Sequence, residues 1–137
     1  MQGLKLLIVD YDVVFVDRVV TQLKKEPIVV SWLKNNNNIL DRIESLSPDV
    51  VILSTNMPNM DVMGMLSEIK GDYPLIEVIM LAEENGIKAA ITGMQLGAVD
   101  YLRKPVRANE LIGKIKNAYQ KRSHRQEKIN RFKKILV

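Results

Sequence analysis

Four side chains in this sequence invite a chemical reading. Asp10 and Asp12 offer carboxylates, Ser54 a hydroxyl and Lys104 an ammonium, each at or just beyond the end of a short apolar run. A serine attacks a substrate only when a base takes its proton, and histidine is the usual base. The only histidine is His124, far along the chain, and the glycines of a G-x-S-x-G elbow are absent around Ser54. With no cysteine in the chain, thiolate metal sites and disulfides are excluded. Carboxylates can instead hold a hard cation or neutralise a buried ammonium.

Positioning these groups falls to alternating elements. The runs "LKLLIV" (4–9), "IVVSWL" (28–33), "DVVILS" (49–54), "IEVIML" (76–81) and "VDYL" (99–102) read as buried strands. Between them, apolar residues recur at helical spacing: Val16, Val19, Val20 and Leu23; Ile39, Leu40, Ile43 and Leu46; Val62, Met65, Leu66 and Ile69; Ile87, Ala90, Ile91 and Met94. Leu111, Ile112, Ile115 and Ala118 begin a last helix, and the asparagines at 35–38 form a turn able to cap the second one. Apolar strands alternating with amphipathic helices imply an α/β fold, a parallel sheet covered on both faces. Ligands in such folds gather at the carboxyl ends of the strands, where Asp10, Ser54, Ala82 and Lys104 stand.

With these pieces in order, the sequence resembles the receiver domains of bacterial two-component response regulators over roughly residues 3–121. The resemblance rests on "LLIVDYD", on "PDVVILSTNMPNMD" with its Met57-Pro58 turn, on "IEVIMLAEE" and on "AITGMQLGAVDYLRKPV". It implies a flavodoxin-like (βα)5 doubly wound sheet of strand order 2-1-3-4-5. It also implies phosphoryl transfer to an aspartate beside Mg²⁺, with a lysine on the phosphoryl oxygens and a Ser/Thr hydroxyl reporting the phosphate. Position by position the match is incomplete. Ser54 stands at the phosphoacceptor, Tyr11 at the second of the acidic pair and Ala82 at the Ser/Thr switch. Asp10, Lys104, Asn56 and Tyr101 do match; the resemblance implies a cis Lys104-Pro105 bond, a backbone carbonyl lent to the metal by Asn56 and an aromatic switch at Tyr101. Asp12 falls one place late. The resemblance leaves Lys104 without its usual carboxylate partner, so Asp10 is expected to pair with it, with a weak cation grip by Asp10 and Asp12 as the alternative. Ser54 then reads as a hydroxyl in the space of the lost carboxylate, bonded to Lys104 or to a nearby backbone amide. Mg²⁺ demands several hard oxygen ligands, so its binding is expected to be weak or absent.

The expectation is a degenerate receiver, not an enzyme, acting in bacterial signalling as a phosphorylation-independent protein–protein interaction module. Its partner would be a histidine kinase, another regulator or an output domain. Two alternatives stand beside it: phosphorylation of another acid such as Asp12, or a small ligand such as a nucleotide in the vacated pocket. The expected partner surface is the last two βα units, with Ile87, Ile91, Tyr101 and Ile115. Tyr101 either caps the sheet edge or keeps its switch role, in which case the small Ala82 side chain leaves room for a constitutively inward ring.

The 137 residues fit one domain with an appendage: a receiver at 1–121 and a basic helical extension or linker at 122–137. Residues 103–137 hold twelve Lys/Arg against two Asp/Glu, net +10, while the remaining residues hold eight against fourteen, net −6. Leu111, Ile115, Ala118, Arg122, Arg125, Ile129, Phe132 and Leu136 follow alternating spacings of four and three, a heptad seam interrupted by two arginines. A homodimer through this helix or through the last two βα units is therefore one expectation, and a solvated helix fraying past Arg122 the other. Phe132 is the only aromatic after residue 119, and no helix-turn-helix fits there, so specific nucleic-acid binding is not expected. No apolar run spans a membrane and no leader pattern opens the chain, which together with absent cysteine points to the cytoplasm. The apolar-basic pattern meets Val137 without a capping glycine, the pattern of a longer protein cut short.

Overall fold

A computed structural model describes residues 3–35 and 37–136. Within them the chain alternates β1 (Leu4–Val9), α1 (Val13–Leu23), β2 (Ile28–Leu33), α2 (Ile39–Leu46), β3 (Val50–Ser54), α3 (Val62–Asp72), β4 (Glu77–Ala82), α4 (Ile87–Gln95), β5 (Asp100–Arg103) and α5 (Ala108–Leu136). All neighbouring strands pair in parallel, in the order β2-β1-β3-β4-β5. The sheet is the flavodoxin-like one expected, and order reverses beside β1, so the carboxyl ends of β1 and β3 flank the crevice where such folds place their chemistry.

The two-residue period of the strands sends alternate side chains to opposite faces. Leu4, Leu6 and Ile8 meet Val50, Ile52, Ile79 and Leu81 beneath α1 and α5, whose Val16, Val19, Leu23, Leu111, Ile115 and Ala118 complete that half of the core. Leu7 and Val9 meet Val51, Leu53, Val78 and Met80 on the other face, covered by Ile39 and Ile43 of α2 and by Val62, Leu66 and Ile69 of α3. Since Ile115 is 0% exposed, its assignment to the partner surface is corrected: it is a core residue, held there because α5 lies along the sheet.

The fourth helix turns its larger apolar residues outward, and the exposure of Ile91 suits its expected place on the partner surface. Ile91 is 50% exposed, and Met94 is exposed too, while Ala90 and Gly93 turn inward. A side chain at Gly93 would bring a Cβ within 2.5 Å of Met80 Cγ, so the helix seats closely only through its smallest residues. Gly97 joins α4 to β5 at φ +112°, a conformation open to glycine and strained for other residues.

Two helix starts are built from aspartates. Asp12 accepts from the Phe15 amide at the head of α1, and Asp61 from the Gly64 amide at the head of α3. At α2 the expected asparagine cap takes another form. Asn38 supplies left-handed backbone at φ 59° but no side-chain bond to the helix amides. Asn36 of that turn lies outside the described residues, as does Val137 with the expectation attached to it. The last helix runs unbroken through position 121 to Leu136, about 44 Å at 1.5 Å per residue. No described helix is long and apolar enough to cross a membrane.

Candidate functional site

Asp10 follows β1 and is 0% exposed. Its backbone is fixed to the edge strand, the amide donating to Leu33 O (3.1 Å) and the carbonyl accepting from Trp32 Nε1 (2.8 Å). Its carboxylate has two partners: Oδ1 accepts from the Asp12 amide at 3.2 Å, and Oδ2 forms an ion pair with Lys104 Nζ at 2.9 Å. Lys104 reaches it from the end of β5, where its amide donates to Ala82 O (2.9 Å) and its bond to Pro105 is cis. The ammonium has further company in Glu83 Oε1 at 3.4 Å, Asp12 Oδ2 at 3.6 Å and the face of Phe15, 4.6 Å from the ring centroid. Lys104 is thus enclosed by three carboxylates and an aromatic ring.

Burial pushes the Asp10 carboxyl above its ordinary value, and the Lys104 contact opposes but does not reverse this. Burial also pulls Lys104 down, yet the Asp10 hydrogen bond and the charges of Asp10, Glu83 and Asp12 outweigh it, leaving the ammonium above its ordinary value. Taking two charges from water costs heavily unless they meet closely, and here they lie 2.9 Å apart.

Ser54 closes β3 and is fully buried. Its Oγ accepts from the Asn56 amide at 3.2 Å and donates to Asn56 O at 3.4 Å. Of the two partners expected for this hydroxyl, the backbone amide is the one present. The Asn56 carbonyl is thereby turned onto the serine, while its side-chain amide donates to the half-exposed Tyr11 phenol at 3.4 Å. Ala82, buried at the end of β4, adds only a methyl. Asp12 spends Oδ1 on the Phe15 amide at 3.1 Å.

These residues do not fit Mg²⁺, which keeps octahedral geometry and needs several free anionic or carbonyl oxygens. Asp10 is taken by Lys104, Tyr11 and Ser54 are neutral, and Asn56 O faces Ser54. Among the described residues, no three His, Cys, Asp or Glu side chains are grouped to hold a metal. A shallow cavity of about 280 Å³ opens above the pocket, and Asp12, Glu83 and Glu84 at its wall disfavour a phosphate despite Arg18 and Lys104.

The structure gathers Asp10, Tyr11, Asp12, Ser54, Asn56, Ala82 and Lys104 around one crevice. Tyr101 lies apart, half-buried against the α2/α3 side of the core. Lys114 Nζ stacks 4.9 Å from its ring centroid and donates to its carbonyl. Ile87 is half-buried and Ile91 exposed on the adjoining helix. Sequence reasoning passed over Glu83, Phe15 and Lys114. The signal for Glu83 was its place directly after the strand-end Ala82; for Phe15, its place one turn into the helix capped by Asp12.

Comparison with known proteins agrees with the fold. The family described as response regulator receiver domain matches residues 6–116. The DNA-binding transcriptional regulator NtrC of Salmonella typhimurium is 35% identical over 100 residues, covering 73% of this chain and 21% of NtrC. The chain thus spans about a fifth of the length of such curated relatives. The crystal structure of NtrX from Brucella abortus superposes with a TM-score of 0.86 at 26% identity, over 92% of this chain and 29% of NtrX. A response regulator receiver domain from Clostridium thermocellum gives 0.79 at 31% identity, over 87% and 96%. The chain belongs to the response regulator receiver domain family of two-component signalling.

Proposed function

We propose that this chain is a receiver that docks partners without accepting a phosphoryl group. The observation that carries the reading is the closed pocket: Lys104 held 2.9 Å from Asp10, and Ser54 turned onto Asn56. Phosphoryl transfer to a side chain needs an anionic nucleophile and counter-charge for the transferred group. Here the nucleophile is an alcohol without a base and the counter-charge is already neutralised. Asp12, the alternative acceptor, serves α1 as its cap and Lys104 as a neighbour.

Receiver domains interact with histidine kinases and output domains, and for this chain the proposed partner face is α4 with the β5 edge. Ile91, Met94 and Leu96 stand exposed there beside the half-buried Ile87 and Tyr101. An inward Tyr101 held by Lys114 supports a surface kept in one state. The basic extension adds a second face for an acidic partner or for self-association, in the cytoplasm.

Incubation with acetyl phosphate and Mg²⁺, read by intact mass, tests the proposal. Unchanged mass is expected. A stoichiometric gain of about 80 Da overturns it, and peptide mapping of the adduct then decides for or against Asp12.

A further inference from the structure

The two arginines that interrupt the apolar stripe of α5 have partners in the body. Leu111, Ile115 and Ala118 lie in the core, and the same helix stripe then passes the amino-terminal rim of the sheet. There Arg122 Nε lies 3.4 Å from Asp49 Oδ1, and Arg125 Nη1 lies 2.5 Å from Glu77 Oε1. Glu77 is the first residue of β4 and only 1% exposed. Its other cation, Lys70, is 3.6 Å away and spends its ammonium on Pro74 O and Ile76 O at 3.0 and 2.7 Å. Asp49 is itself tethered, with Oδ2 accepting from the Lys5 amide at 2.8 Å. Beyond Arg125 the apolar residues Ile129, Phe132, Ile135 and Leu136 are exposed.

We propose that the Arg125–Glu77 and Arg122–Asp49 pairs form a latch that fixes the direction of the basic extension, so that control of this element resides at the rim opposite the phosphoacceptor-like pocket. Undocking the helix takes the nearer of its two cations from a buried carboxylate and leaves it Lys70 at 3.6 Å, which disfavours the released state. Arg125 is 51% exposed, so an incoming acidic group can reach it without the core opening. The latch therefore has two discrete arrangements, docked and released, biased by what competes for one guanidinium. The inference rests on the extension being the output element of this receiver. Its test involves neither phosphate nor metal, so its failure leaves the reading of the pocket untouched.

Because the native chain has no cysteine, Ser45→Cys on α2 and Lys133→Cys on the extension accept two nitroxides cleanly. Pulsed electron–electron distance measurements are made on the labelled protein diluted in unlabelled protein. A single narrow distance is expected. Arg125→Ala, a half-exposed position, should broaden it and add a second population. Arg125→Lys should restore much of the narrow peak, and Lys121→Ala, an exposed lysine without a body partner among the described ion pairs, should leave it unchanged. An unaltered distribution in Arg125→Ala overturns the latch, and so does equal broadening by Lys121→Ala.

Discussion

Replacing Lys104 with methionine keeps the length of the side chain and removes its charge, leaving Asp10 as a carboxylate with no cation in a fully buried position. Removing one partner of a buried pair costs about 3–5 kcal/mol. The lower end applies here, because Asp10 Oδ1 keeps its bond from the Asp12 amide and because the carboxyl can escape by binding a proton. At about 3 kcal/mol and a urea slope of about 1.5–2 kcal/mol per M, the midpoint should fall by about 1.5–2 M near neutral pH. The pH dependence has a definite sign. Burial already raises the Asp10 carboxyl, and losing Lys104 raises it further, so the folded variant binds a proton that the unfolded chain has shed. Stability then rises as pH falls from the raised folded value towards the unfolded value of about 3.9, and the deficit against wild type should shrink at pH 5. Asp10→Asn added to Lys104→Met removes the stranded charge and should recover most of the loss. Urea titrations of wild type, Lys104→Met, Asp10→Asn and the double variant at both pH values complete the cycle. A single variant within about 0.5 kcal/mol of wild type at neutral pH, or a deficit that grows on acidification, refutes the reasoning.

Other outcomes follow from the same geometry. Ser54→Asp alone should stay unmodified by acetyl phosphate and Mg²⁺, whereas Ser54→Asp with Tyr11→Asp, which returns two carboxylates to the pocket, should show the mass adduct. Gly97→Ala forces a Cβ onto backbone at φ +112° and should cost about 1–2 kcal/mol, read as a lowered thermal midpoint. Ile115→Ala should cost about 2–5 kcal/mol as a cavity in the core, while Ile91→Ala on the exposed face should change stability by less than about 0.5 kcal/mol. Chemical denaturation separates the two.

Much of the architecture could be read in advance, because a doubly covered parallel sheet writes its strands as uninterrupted apolar runs. Each strand was legible to within a residue, and the pairing of Asp10 with Lys104 followed from the resemblance, which leaves that lysine without its usual carboxylate. The helices were less transparent. In α4 the inward residues are Ala90 and Gly93, and a pattern reader gives weight to Ile91 and Met94 because they are larger. In α5 an inward stripe and a coiled-coil seam share nearly the same spacing, so Arg122 and Arg125 passed for interruptions, while Ile115 passed for an interface residue because the resemblance puts the partner surface on the last two βα units. The missing clue was Glu77, a lone charge opening the apolar run of β4. A carboxylate there must find a cation from another element, and only tertiary structure says which.

The length of α5 beyond its last body contact has a mechanical meaning. From Arg125 to Leu136 the helix extends about 16 Å; beyond Arg125 the described hydrogen bonds and ion pairs stay within the helix, which makes Arg125 the fulcrum. A tilt of about 20° there sweeps the tip sideways by about 6 Å, roughly the advance of one helical turn. Displacements too small to disturb the fold at the pivot thus arrive at the far end large enough to change which residues face a neighbour.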